Sequence, residues 1–130
     1  MKPKKIWANF SVKDVKRTND FYTQLGFTAN NVGSFPKLAS FLFGNENFVI
    51  HFFEEGSQID YYLTSGSAGE IIFTLSAETE KEVEEFAEKV RNAGGTILKE
   101  VRREEGNYFG FAFADPDGHR FNVLLLEAEM

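Results

Sequence analysis

The chain contains no cysteine, which removes disulfides, thiolate metal sites and cysteine nucleophiles together and suits a reducing compartment. Basic charge is in deficit. Fourteen Lys and Arg stand against 20 Asp and Glu, a net charge of −6, which opposes nucleic acid and anionic membranes and favours a cationic or neutral ligand. No apolar run approaches the ~20 residues a membrane span requires, and the Met1-Lys-Pro-Lys-Lys5 start leads into a strand-like segment rather than a signal-peptide core. The expected location is the cytoplasm. A nucleotide-binding glycine loop, a nucleophile elbow and a paired-cysteine motif are all missing. What is abundant is phenylalanine: 15 of them in a chain of 130 residues that is 42% hydrophobic, which implies an aromatic core or a large apolar pocket. The length suits one domain, or two small modules sharing a core.

Residues 6–12 alternate, with Ile6, Ala8, Phe10 and Val12 on one face and Trp7, Asn9 and Ser11 on the other, the period of a half-buried strand. Asp14 then has the character of an N-cap, Val15, Thr18, Tyr22 and Leu25 follow helical spacing, and Gly26 stands where helices end. From Phe27 to Phe53 short apolar stretches predict two or three strands, with a hairpin at Gly44-Asn45 joining 40–43 to 48–53. Residues 54–69 lose periodicity and end in Gly and Ser, the chemistry of a linker. The pattern then restarts. Residues 70–76 alternate, Thr79 and Glu82 form a capping box, and Val83, Phe86, Ala87 and Val90 make one helical face before Gly94-Gly95. A strand at 96–99, the alternating Phe109, Phe111 and Phe113, the turn Asp115-Pro116-Asp117-Gly118 and a strand at 120–126 complete the order.

This is an internal repeat. Trp7 set over Glu70 brings Phe10 over Phe73 and Val12 over Leu75, and His51 set over Asn122 matches the hairpins. The expected fold is α+β: two βαβββ modules, about 5–63 and about 69–127, in a single domain spanning 1–130. Each module has one sheet face covered by its helix and the other bare, so two must pair, within or between chains, into an open cup-shaped mixed sheet.

The segments Asn9-Phe10-Ser11-Val12-Lys13-Asp14, Phe21-Tyr22, Leu25-Gly26-Phe27 and Asp115-Pro116-Asp117-Gly118-His119, in order and over the whole chain, resemble the vicinal oxygen chelate superfamily. That group contains glyoxalase I, bleomycin and fosfomycin resistance proteins and extradiol dioxygenases, and the resemblance is closest to bacterial lactoylglutathione lyase-like proteins. It implies a homodimer. It also implies that metal-using members draw ligands from positions matching Trp7, His51, Glu70 and Asn122. An indole has no lone pair to give and an Asn carbonyl is a poor substitute for a carboxylate, so only His51 and Glu70 suit a metal.

Each candidate has two readings. His51, on a mostly apolar strand, is either hydrogen-bonded core or a general base on the cup face. Glu70 is either a solvated strand end or His51's partner in the pocket. Trp7 is either core or an aromatic floor that stacks on a flat or cationic ligand, flanked by Asn9 and Ser11. His119 is expected to face water with no role, and the Phe109, Phe111 and Phe113 stripe is expected to be core. The expected function is binding of a small organic molecule by Trp7, Asn9, Ser11, His51 and Asn122 in an aromatic, acidic cup, with no cofactor. The alternative is a glyoxalase-like lyase or isomerase in which His51 and Glu70 are catalytic, as an acid/base pair or as ligands of a divalent Zn, Ni, Mn or Fe.

Overall fold

A computed structural model describes residues 2, 6–30, 37–57, 60, 71–103 and 108–127. The chain divides into two compact units, Met1–Ser67 and Ala68–Met130. In the first, β1 (Ala8–Val12), α1 (Val15–Gln24), β2 (Thr28–Ala29), β3 (Leu38–Phe43) and β4 (Phe48–Glu54) follow one another. Their sheet has the order β1-β4-β3-β2, with β1 parallel to β4 and the other pairs antiparallel. Parallel neighbours cannot be joined by a hairpin, and α1 begins the crossover that separates them.

The sequence starts α1 with Asp14, whose extended backbone lets its carboxylate accept the Arg17 N–H at 3.2 Å. Glu54, at the end of β4, accepts a second N-terminal donor, the Val15 N–H, at 3.2 Å. Both bonds satisfy amides that have no partner within the helix. Gly26, at φ +93°, turns the chain out of the helix. The buried stripe of α1 is Thr18, Phe21 and Tyr22. Tyr22 is its centre: its ring stacks on Phe52 at 4.7 Å and meets Phe41 at 5.5 Å and Phe43 at 5.9 Å. One face of the first sheet is therefore an aromatic core under the helix.

The second unit repeats the order with β5 (Ile72–Ala77), α2 (Glu80–Ala93), β6 (Thr96–Arg103), β7 (Phe109–Ala114) and β8 (Arg120–Leu125). The sheet order is β5-β8-β7-β6, with β5 parallel to β8. The Glu82 N–H donates to Thr79 Oγ1 at 3.1 Å, and the Glu82 carboxylate accepts the N–H of Glu78 at 2.9 Å. The capping box thus closes on the residue before the cap. Gly94 ends α2 in the left-handed region, at φ +95°. Below the buried Val83, Ala87 and Val90, Phe113 stacks on Phe121 at 5.2 Å and 8°, and the Phe86 ring reaches Phe111 and Phe113. Phe111 and Phe113 of the β7 stripe are core, as the alternation implies, while Phe109 at the strand's start is half-buried.

Four expectations change. Ile6 is 77% exposed and lies outside the apolar stripe, because β1 begins only at Ala8. The strand expected over 96–99 runs on to Arg103, since its partner β7 continues opposite it. The strand expected from Glu70 begins at Ile72, and Glu70 itself lies outside the described residues. His119 is buried, at 4% exposure. The reason is local: the Asp115 carboxylate accepts the N–H groups of Asp117 (3.0 Å) and His119 (2.9 Å), and the Asp115 N–H donates to the His119 carbonyl at 2.9 Å. The turn folds onto itself and carries the imidazole inward.

Thr79→Ala should cost about 1 kcal/mol of unfolding free energy and Phe121→Ala about 3–5 kcal/mol, both measurable by denaturant titration. Equal losses would remove the distinction between cap and core.

Candidate functional site

Each sheet has one face under its helix, and the candidate residues lie on the other. Residues opposite each other on paired strands share a face. In the first unit Asn9 lies opposite His51, and His51 opposite Ser40. His51 Nδ1 and Ser40 Oγ are 2.8 Å apart. Asn30 Nδ2 donates to the same hydroxyl at 3.1 Å, and the Asn30 N–H donates to the Ser40 carbonyl at 2.9 Å. A polar row, Asn9, His51, Ser40 and Asn30, therefore crosses the sheet. Ser11 lies opposite Phe53, whose ring meets that of His51 edge-on at 5.9 Å. Trp7 precedes β1 and is 48% exposed, so it is not a core residue. His51 is half-buried and hydrogen-bonded on the open face.

In the second unit the corresponding row is Thr74, Asn122, Ala112 and Lys99. The Thr74 hydroxyl donates to Asn122 Oδ1 at 2.6 Å, which leaves the amide NH2 as the donor end of that side chain. Strand β7 reads Phe109-Gly110-Phe111-Ala112-Phe113-Ala114, with rings on the helix side and Gly110, Ala112 and Ala114 on the other. Small side chains leave space. It forms a groove of about 160 Å³ bordered by Lys99, Arg102, Tyr108, Gly110, Asn122 and Leu124. Gly110 is obligatory, because a Cβ there would lie 2.0 Å from the Val123 carbonyl oxygen.

Two irregularities in β6 aim its charges. The register shifts between Ile97 and Lys99 and again between Lys99 and Arg102. Lys99 lies opposite Ala112 and Arg102 opposite Gly110, so three steps along β6 match two along β7. In an unbroken strand residues three apart face opposite ways; these bulges bring both cations to the open face. Glu100 also borders the groove, but its carboxylate is bonded to Arg91 of α2. That bond raises the Arg91 pKa further above its ordinary value.

The structure also corrects the frame of the repeat. Asp14 and Thr79 occupy equivalent caps, and the same strand-end bond recurs from Glu55 N–H to the Val12 carbonyl and from Leu126 N–H to the Ala77 carbonyl. Val12 therefore matches Ala77 and Phe10 matches Leu75, and Trp7 matches Ile72, two residues beyond Glu70. The pairing of His51 with Asn122 stands, because Asn9 opposite His51 corresponds to Thr74 opposite Asn122.

The matched positions are thus Trp7, His51, Ile72 and Asn122. A catalytic zinc takes three protein ligands and keeps one position open. Indole and isoleucine offer no donor, the Asn122 carbonyl accepts from Thr74, and His51 Nδ1 is engaged with Ser40. Among the described residues no three His, Cys, Asp or Glu side chains gather. These positions do not fit a transition metal.

Of the residues singled out from the sequence, Asn9 and His51 are brought together as neighbours, Ser11 lies further along β1, Trp7 precedes it, Asn122 lies in the second unit, and Glu70 lies outside the described residues. The structure adds Ser40, Asn30 and Thr74, bonded to His51, Ser40 and Asn122 respectively, and the groove residues Lys99, Arg102, Tyr108 and Gly110. One signal was present: the ring-small-ring alternation of 109–114 marks a face with room on it.

A family model described as Glyoxalase/Bleomycin resistance protein/Dioxygenase superfamily matches residues 6–123. No curated protein matches the chain. Among solved structures, the hypothetical protein SA1046 from S. aureus is 26% identical, with a TM-score of 0.84 over 97% of this chain and 96% of that one. A family enzyme from Burkholderia phytofirmans is 17% identical, with a TM-score of 0.77 over 93% and 97%. The fosfomycin resistance protein FosX from Mesorhizobium loti is 15% identical, with a TM-score of 0.71 over 99% and 97%. The last two are likenesses of fold.

Gly110→Ala should destabilise the protein by about 1–3 kcal/mol, the usual cost of forcing a methyl group into packed backbone. An unchanged urea midpoint would mean that β7 and β8 are not this close.

Proposed function

The chain belongs to the Glyoxalase/Bleomycin resistance protein/Dioxygenase superfamily, and we propose that within it this protein binds a small organic molecule on its open sheet faces without a catalytic metal. The donor set carries the reading: of Trp7, His51, Ile72 and Asn122, only His51 has a side chain suited to a transition metal. What those faces do offer is recognition chemistry. Asn9, His51, Ser40 and Asn30 form a hydrogen-bonding row with the Phe53 ring beside it. Ligand sites combine apolar walls with a few placed polar groups in this way. Trp7, half-exposed ahead of Asn9, is the aromatic surface for a flat ligand.

We place this activity in a cytoplasmic homodimer. Ile6 and Trp7 run into the edge strand β1, and Ile71 and Ile72 into the edge strand β5, exposed by 77%, 48%, 56% and 52%. Apolar exposure at both equivalent edges favours coverage by a second copy. No helix among the described residues is long and apolar enough to cross a membrane.

Elemental analysis of purified protein should find well under one metal ion per chain, and a chelator should leave small-molecule binding intact. Stoichiometric divalent metal that is lost in His51→Ala would overturn the proposal and restore the lyase reading with His51 and Glu70. Light scattering should return about twice the 14.8 kDa chain mass; a monomer that persists on concentration would refute the dimer.

A further inference from the structure

We infer that Ser40 and Asn30 are positioning residues for His51: they hold its neutral imidazole with Nδ1 as a hydrogen-bond acceptor and the proton on Nε2, so that a ligand reaching Nε2 must present an acceptor such as a carbonyl oxygen. The consequence for the ligand rests on the proposal of a small-molecule binder.

A hydroxyl has one proton to give. Ser40 is buried, at 4% exposure, and among the described residues its Oγ has two hydrogen-bond neighbours, Asn30 Nδ2 at 3.1 Å and His51 Nδ1 at 2.8 Å. The amide nitrogen has no lone pair to offer, so Asn30 donates and the Ser40 oxygen accepts. The hydroxyl proton is then left with the Nδ1 lone pair as its acceptor. Were Nδ1 protonated instead, Ser40 Oγ would receive two N–H groups and its own proton would be buried without a partner, which is destabilising. In a neutral imidazole the bond made by one nitrogen decides which of the two carries the proton. Here that is Nε2.

Asn30 is held in place to act this way. Its backbone N–H donates to the Ser40 carbonyl at 2.9 Å, so one residue grips both the main chain and the side chain of Ser40. The second copy of the repeat shows the same coupling of hydroxyl and imidazole. Where the first has His51 opposite Ser40, the second has Asn122 opposite Ala112, and the two groups are lost together.

This polarity is the reverse of what a metal ligand or a base would need. A histidine that binds metal through one nitrogen usually donates the other N–H to a carbonyl or carboxylate, and a general base at Nε2 needs its lone pair there. The oxygen beside Nδ1 already receives Asn30 and has to donate. The lone pair therefore stays at Nδ1, within the row.

The test is nitrogen-15 NMR of the full chain labelled at histidine, after chelator treatment, at about pH 8.5, above the ordinary imidazole range. The chain has two histidines, and His51→Gln tells their signals apart. His51 should show a bare Nδ1 and a protonated Nε2. A free imidazole already leans toward that form, so the variants decide. Ser40→Ala should lower the ratio of the two tautomers about tenfold. Asn30→Asp supplies a carboxylate that takes the Ser40 proton and turns the relay round, so it should put a proton on Nδ1, whereas Asn30→Asp combined with Ser40→Ala should not. Should Ser40→Ala fail to fold, the unmodified chain and Asn30→Asp, a change at a half-buried position, settle the matter. A wild-type proton on Nδ1, a ratio unmoved by Ser40→Ala, or an Nδ1 still bare in Asn30→Asp overturns the inference. Each of those results leaves the binder proposal standing, because the tautomer is read without ligand or metal; a metal resident in the protein as purified would sink the binder and leave the relay to its own test.

Discussion

The parallel pairing of first and last strand within each unit is the constraint on which the rest depends. A parallel pair cannot be closed by a tight turn, so β1 and β4, like β5 and β8, are separated by a helix that must lie across the sheet and bury one of its faces. The aromatic cores gather on that face: Tyr22 with Phe41, Phe43 and Phe52 in one unit, Phe86 with Phe111, Phe113 and Phe121 in the other. The other face carries the polar row beside Phe53 in the first unit and small side chains in the second. The same pairing sets Asn9 beside His51 and Thr74 beside Asn122, residues more than forty positions apart in sequence.

On that frame the two copies have diverged in what they do with the open face. The first keeps bulk there and threads hydrogen bonds through it, from Asn30 through Ser40 to His51. The second hollows its face with Gly110 and Ala112 and turns cations toward the space. One sheet thus presents a donor-and-acceptor row and the other a groove bordered by small side chains. Both depend on backbone exactness more than on any single side chain: Gly110 admits the Val123 carbonyl only because it has no Cβ.

Much of this was legible in the residues. The two helices announce themselves through Asp14 and Thr79 at their starts and Gly26 and Gly94 after their ends, because capping is local chemistry. The rings of Phe111 and Phe113 were legible as core because an unbroken strand alternates. Elsewhere the reading slipped for physical reasons. Trp7 over Glu70 aligned side chains of similar character, whereas the repeat is framed by helix caps and places Trp7 over Ile72. His119 looks solvent-facing beside a turn, and only the bonds from its own backbone and that of Asp117 to Asp115 bury it.

By itself the sequence determined the order of strands and helices, the twofold repetition, the aromatic core and the poverty of metal donors at Trp7 and Asn122. These follow from period, capping and the chemistry of single side chains, all of them local. Only the tertiary structure decided which polar groups share a face. Strand pairing joined His51 to Ser40, and the register shift in β6 between Lys99 and Arg102 cancelled the alternation that would otherwise set those two residues on opposite sides. A bulge carries no dependable residue signature; it exists where one strand must fit the length and twist of its neighbour. Which side chains of β6 border the groove is therefore a property of how β6 lies against β7, which no single residue announces.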